Sequence, residues 1–239
     1  MLHLAKFAIV LSFLLYACWL DIKSRTVPNK VWKFMLIFAA PITFIEMASY
    51  VTSFPYLLIT VSFAILTIAL AYVLYALGAY GGADAKAIMC LAILFPVYPK
   101  FSIFPILDSI SFNFGFASLA NSVLAAPILM AFMFFRNLTK EGISEMKKSP
   151  LYFFVGYRVD VDSIPRFHNL LEVVDEGKIK RLKRGIEAND ELINAIKNSK
   201  IQKIWVTPAL PFIVFITAGY VLAFFVGDVL FYIVSILLH

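Results

Sequence analysis

The chain has 239 residues, of which 62% are hydrophobic and only 15% charged, with a mean hydropathy of +0.86. That composition excludes an ordinary soluble globular protein and places the chain in the polytopic membrane class. The formal charge of +6 does not point to nucleic acid, because the basic residues are not interleaved with exposed aromatic side chains and their distribution has a topological cause given below.

Measured against the ~20 apolar residues that cross a bilayer, the sequence predicts helices near 4–20, 31–48, 57–78, 86–99, 117–135 and 211–236. The first closes on an acid, Asp21, and runs into Asp21-Ile22-Lys23-Ser24-Arg25-Thr26-Val27-Pro28-Asn29, where Pro28 and Asn29 suit the turn into the second helix. The third leads through a glycine-containing linker to Gly81-Gly82-Ala83-Asp84-Ala85-Lys86 at the start of the fourth. That fourth stretch is interrupted by Pro96, Pro99 and Pro105, so its clean helical part is shorter than a full crossing. Cys18 and Cys90 lie inside apolar stretches, which suits packing and leaves neither a disulfide framework nor a thiolate metal cluster. The histidines His3, His168 and His239 are too scattered to suggest a metal site.

Between the fifth and sixth helices the composition changes. Residues 137–207 hold most of the charge and no spanning stretch, so they read as a small α+β insert separating a membrane domain, 1–136, from a last helix, 208–239. Within the insert, 151–161, 169–174 and 201–207 suit strands, and Asn189 to Asn198 begins with capping chemistry and suits a helix. The run Lys178-Ile179-Lys180-Arg181-Leu182-Lys183-Arg184 reads as a solvated basic face, which beside a membrane also suits anionic lipid. The fold class is therefore mainly α: six transmembrane helices and a small α+β cytoplasmic domain between the fifth and sixth. All but Lys6 and Lys100 of the 21 Lys and Arg residues fall on the face that carries the insert. The positive-inside tendency makes that face cytoplasmic and puts both termini outside.

Asp21 and Asp84 then share one membrane edge. Asp84 starts a helix beside unpaired backbone N–H groups, whereas Asp21 ends one. Brought together, two carboxylates repel and hold one proton between them, so one can act as general base on water and the other as general acid toward a peptide carbonyl. Those are the requirements of aspartyl proteolysis. Gly81 and Gly82 lack a Cβ, which allows a sharp turn and close approach of a substrate strand. Taken singly, each acid has a plainer reading as an interfacial residue at a helix end. The glycine context and the shared depth weigh against that reading for the pair. Lys86 suits electrostatic support of Asp84 and, equally, a topology-setting lysine. Glu46 and Asp228 lie toward the opposite face and suit interfacial roles, with Lys6 and Lys100 as candidate partners.

The segment from Asp21 to Asn29 after the first helix, with Gly81 to Lys86 before the fourth, resembles the type IV prepilin peptidase group of GxGD intramembrane aspartyl proteases, in its archaeal preflagellin peptidase branch. The resemblance extends over nearly the whole chain. It implies removal, at the cytoplasmic face, of the short basic leader of a preflagellin or prepilin-like membrane preprotein, with Asp21 and Asp84 as the catalytic pair and no metal or organic cofactor. Ala83 departs from the second glycine of many relatives. The paired CxxC motifs of the relatives that also N-methylate are missing, so methyl transfer is not supported. Pro208-Ala209-Leu210-Pro211 resembles the PAL motif of presenilin-type proteases, but the spacing of the acids differs from that group; a proline-marked helix entry is the plainer reading, and packing near the active site the other. A small proton-coupled transporter is the alternative, and it expects ionisable residues along a path that the third and fifth helices lack.

Overall fold

A computed structural model describes residues 2–49, 54–107, 113–175, 178–199 and 201–238. In chain order its elements are α1 (Leu2–Ser24), α2 (Asn29–Ala48), α3 (Phe54–Ala76), α4 (Gly82–Leu94), α5 (Phe114–Val123), α6 (Ala125–Lys148), α7 (Tyr152–Val155), β1 (Tyr157–Asp160), β2 (His168–Asp175), β3 (Lys178–Glu187), α8 (Asp190–Asn198), β4 (Lys203–Pro208), α9 (Phe212–Phe225) and α10 (Val229–Leu237). They form two compact units, Met1–Ala125 with Pro211–His239, and Ala126–Leu210.

Among the described residues, four helical stretches are long and apolar enough to cross a membrane: Leu2–Ser24, Asn29–Ala48, Phe54–Ala76 and Phe114–Lys148. The pair α9 and α10 makes a fifth if its two arms, bent by 72°, count as one span. Two expected spans are therefore altered. The fourth stops at Leu94 rather than 99, giving 13 residues, or roughly 20 Å of helix against a hydrocarbon core of about 30 Å. The sixth is broken because Gly227 takes a φ of 114°, a conformation that side chains with a Cβ resist. At the break Asn121 Nδ2 donates to Gly227 O at 2.9 Å, Asn121 Oδ1 accepts from Val229 N at 2.9 Å, and Asp228 Oδ1 accepts from Phe231 N at 3.0 Å.

In the first unit the buried face of α1 runs Phe7, Val10, Leu14, Ala17, Cys18 and Asp21, the three-and-four spacing of a helix facing a core. On α3 the buried residues are small, Thr60, Ala64, Thr67 and Ala71, so backbones approach closely and apolar side chains such as Ile65 and Leu66 are left outward. At the α5–α9 seam, a Cβ on Gly219 would lie 2.2 Å from Ser118 O.

The short helix α4 is the centre of this unit. Most of its side chains are buried, and it packs against α2, α3, α5 and α9. Ending inside an apolar environment, it needs partners for its last carbonyls. Leu94 O accepts from Lys6 Nζ at 2.8 Å and from Thr43 Oγ1 at 2.8 Å. The next two carbonyls, Phe95 O and Pro96 O, face Asn113 Nδ2 at 3.3 and 3.4 Å. Lys6 is 1% exposed, pairs with Glu46 and sits 4.4 Å from the centre of the Phe95 ring. Glu46 also meets His3 Nδ1 at 2.9 Å.

The second unit holds a four-stranded antiparallel sheet in the order β1-β4-β2-β3. Alternation along its strands separates two cores. Leu170, Ile204 and Val206 pack with Val161 and Ile196, while Leu171 and Trp205 pack with Tyr152 and Phe153. The strand expected over 151–161 is in part α7, with β1 starting only after Gly156. A Cβ on Gly156 would lie 2.5 Å from Val206 O, so the backbones are in contact at that point. The basic run at 178–184 belongs to edge strand β3, where charged side chains are tolerated and discourage further strand pairing. Helix α8 begins where capping chemistry predicts: Asn189 Oδ1 accepts from Leu192 N at 2.8 Å.

Candidate active site

Asp21 ends the buried stripe of α1, in its last turn, and is 9% exposed. The charge of Arg25 acts on it, and the backbone amide of Ile213, in the first turn of α9, lies against its carboxylate. One turn back along α1, Cys18 Sγ meets Thr217 Oγ1 of α9 at 3.1 Å. The amide and the hydroxyl thus sit one turn apart on α9, matching the one turn between Cys18 and Asp21.

Asp84 is the third residue of α4 and is 8% exposed. Its Oδ2 accepts from Gly81 N at 2.9 Å, so the carboxylate caps the helix that carries it. Asp21 is within electrostatic reach of Asp84. Two buried carboxylates on different elements therefore act on each other through their charges.

The linker before Asp84 is held by Tyr80. Its hydroxyl donates to Ala71 O of α3 at 3.0 Å, and its ring stacks on Phe212 at 5.8 Å between centres and 11° between planes. Burial pushes the Tyr80 phenol up to about 12, and the charge of Asp84 adds to this, so the hydroxyl stays a neutral donor. The sharp turn of the linker falls at Gly78, with φ 71°, rather than at Gly81 or Gly82. Gly81 is extended at φ −76° and ψ 163°, and its constraint is room: a Cβ there would lie 3.2 Å from Asp84 Oδ2. A Cβ on Gly82 would touch the Tyr75 ring at 3.4 Å. Ala83 is half-buried and packs against the hydrophobic core of the unit.

Lys86 Nζ donates to Asn29 Oδ1 at 2.8 Å. Among the described residues no hydrogen bond or ion pair joins Lys86 to Asp84, so Lys86 ties α4 to α2 instead of leaning on the acid. Pro28 is the N-cap of α2, with extended backbone at φ −61° and ψ 143°, and its carbonyl accepts from Val31 N at 3.1 Å. Pro211 is likewise the N-cap of α9, the proline-marked entry that the sequence suggests. Tyr80, Phe212 and Ile213 are neighbours of the acids that sequence reading misses; the nearest signal is Pro211, which marks a helix start but not what faces it. Among the described residues no group of three or more His, Cys, Asp or Glu could hold a metal ion.

A model of the type IV leader peptidase family matches residues 8–135, and a model of the archaeal peptidase A24 C-terminus, type II, matches residues 148–229. The chain is similar to a preflagellin peptidase of Methanococcus voltae, with 29% identity over 227 residues, covering 93% of this chain and 95% of the relative. It is also similar to preflagellin peptidases of Methanocaldococcus jannaschii, 28% identical with 90% and 91% covered, and of Methanococcus maripaludis, 24% identical with 87% and 89% covered. The first family model takes in both acids and more than half of the chain, and the protein belongs to the type IV leader peptidase family.

Proposed function

We propose that the protein is a membrane aspartyl endopeptidase that removes the short basic leader of preflagellin, or of a related type IV pilin-like preprotein, at the cytoplasmic membrane face. The observation that supports this reading is that Asp21 and Asp84 are both buried and within electrostatic reach, in a chain of a leader peptidase family. The ionised carboxylate takes a proton from water as the water oxygen attacks the scissile carbonyl carbon. The protonated partner hydrogen-bonds to, and then protonates, the carbonyl oxygen. Collapse of the tetrahedral intermediate breaks the C–N bond, and a proton returns to the leaving amine. Gly81, where a Cβ would crowd Asp84 Oδ2 at 3.2 Å, leaves the carboxylate uncrowded, and the Lys86–Asn29 contact steadies α4 against α2.

The membrane setting belongs to the same proposal. Six crossings, with α4 as a short fourth and α9–α10 as a bent sixth, put both termini outside and the residue 137–207 insert in the cytoplasm, in accord with the distribution of Lys and Arg. The lipid bilayer and the preprotein are the partners. The transporter alternative is not favoured, since the family is one of peptidases.

The test is to incubate the purified protein in detergent with a candidate preflagellin and map the new N-terminus of the product. Cleavage between the leader and the hydrophobic segment, lost in both Asp21→Asn and Asp84→Asn, is the expected result. Cleavage at full rate by either variant would refute the acid pair.

A further inference from the structure

Helix α9 packs against both α1 and α4, and its first turn touches the surroundings of both acids. On one side the Ile213 amide lies against the Asp21 carboxylate. On the other, the Phe212 ring stacks on Tyr80 at 5.8 Å, four residues before Asp84 on the same linker. The turn is anchored at two further points. Thr217 meets Cys18 at 3.1 Å, which sets the rotation of α9 against the last turns of α1. Tyr80 donates to Ala71 O at 3.0 Å, which keeps its ring from swinging off Phe212.

Asp21 and Asp84 belong to separate helices and are like-charged when both ionised, so their own interaction tends to push them apart. Something else must fix their separation. The Pro211 N-cap sets the start of α9, and of the two residues that follow, Ile213 has its amide near Asp21 and Phe212 stacks on Tyr80 of the Asp84 linker. We infer that the first turn of α9 is a positioning element for the acid pair, with Phe212 as a positioning residue that acts on Asp84 through Tyr80. Phe212 does not touch the reacting atoms. It sets where the Asp84 linker sits relative to the end of α1.

This inference rests on the proposed acid pair, and its test is separable from that reading. Phe212→Ala, Phe212→Leu and Phe212→Trp are compared with the parent in full-length protein in detergent, measuring kcat, KM and the thermal midpoint with a preflagellin substrate. Misplacing one of two cooperating groups by about 1 Å can cost roughly a hundredfold, so Phe212→Ala is expected to lose ten- to hundredfold in kcat with KM little changed. Phe212→Trp keeps a stacking face and should restore most of kcat. Phe212→Leu keeps apolar bulk without a stack and should stay low in kcat at a near-parental midpoint; it decides the matter if Phe212→Ala does not fold. Parental kcat in Phe212→Leu, or a loss that Phe212→Trp does not relieve, would overturn the inference while leaving the acid pair standing. Full activity of Asp21→Asn or Asp84→Asn would instead overturn the underlying reading.

Discussion

The two ends of α4 both place ionisable side chains in a buried setting, and they handle the cost in opposite ways. At the Leu94 end a cation meets an anion. Lys6 pairs with Glu46, donates to Leu94 O and lies over Phe95, so its charge is compensated on several sides. At the Gly81 end one carboxylate lies within electrostatic reach of another, Asp84 of Asp21, and Asp84 accepts from the backbone amide of Gly81. A paired charge in a low-dielectric site does structural service by satisfying the buried end of a short helix. Like charges gathered in one place oppose folding, and their persistence there signals chemistry.

The largest expected effect separates the two ends directly. Asp84→Asn keeps an amide oxygen that can accept from Gly81 N, so the cap and the fold should survive while cleavage falls by about 10²–10⁴-fold, the usual contribution of an acid or base. Asp21→Asn should fall as far. A folded, active Asp84→Asn protein would reduce Asp84 to a helix cap and erase the contrast between the ends.

Lys6→Met is the matching change at the other end. It leaves Glu46 without its cation and Leu94 O with one donor fewer, and removing one partner of a buried pair costs roughly 3–5 kcal/mol of stability. Denaturation in detergent should show that loss, while the folded fraction keeps its kcat. If stability holds and kcat collapses, the Leu94 end serves the reaction rather than the fold. Thr43→Val, which removes the second donor to Leu94 O, should cost less, about 0.5–1.5 kcal/mol for one hydrogen bond, because Lys6 still satisfies that carbonyl.

Smallest of all is Lys86→Ala. The exposed contact to Asn29 steadies α4 from the side, and its loss should lower kcat/KM by roughly two- to fivefold, the scale of an exposed polar contact. A loss as deep as that of the Asp variants would promote Lys86 to an essential group.

Much of this was legible because it depends on local pattern. Asp21 falls in step with Val10, Leu14 and Ala17 on one helical face, so its burial follows from spacing alone. Asp84, three residues into a helix opened by glycine, announces both an N-terminus and a cap. The Asn189 cap of α8 and the Pro211 entry to α9 are signals of the same kind. Other features are misread for equally physical reasons. The apolar run at 211–236 looks continuous because hydropathy is blind to backbone angle, and Asn121, far away in sequence, fills hydrogen bonds that open at Gly227. The basic run at 178–184 reads as a solvated face, which composition supplies, but that the face is an edge strand follows only from its pairing with β2.

By itself the amino-acid sequence determined the membrane class, the place of the two acids at helix ends and the rough position of the long helices, since burial periodicity, capping and apolar length act over a few residues at a time. Only the tertiary structure decided that Lys6 finds Glu46 and the end of α4, that Lys86 goes to Asn29 rather than to Asp84, and that Phe212 stacks on Tyr80 beside Asp84. Those contacts join residues from 40 positions apart, for Lys6 and Glu46, to 199 apart, for Cys18 and Thr217 at the same seam. Their partners are chosen by how helices pack, which no short window of sequence encodes.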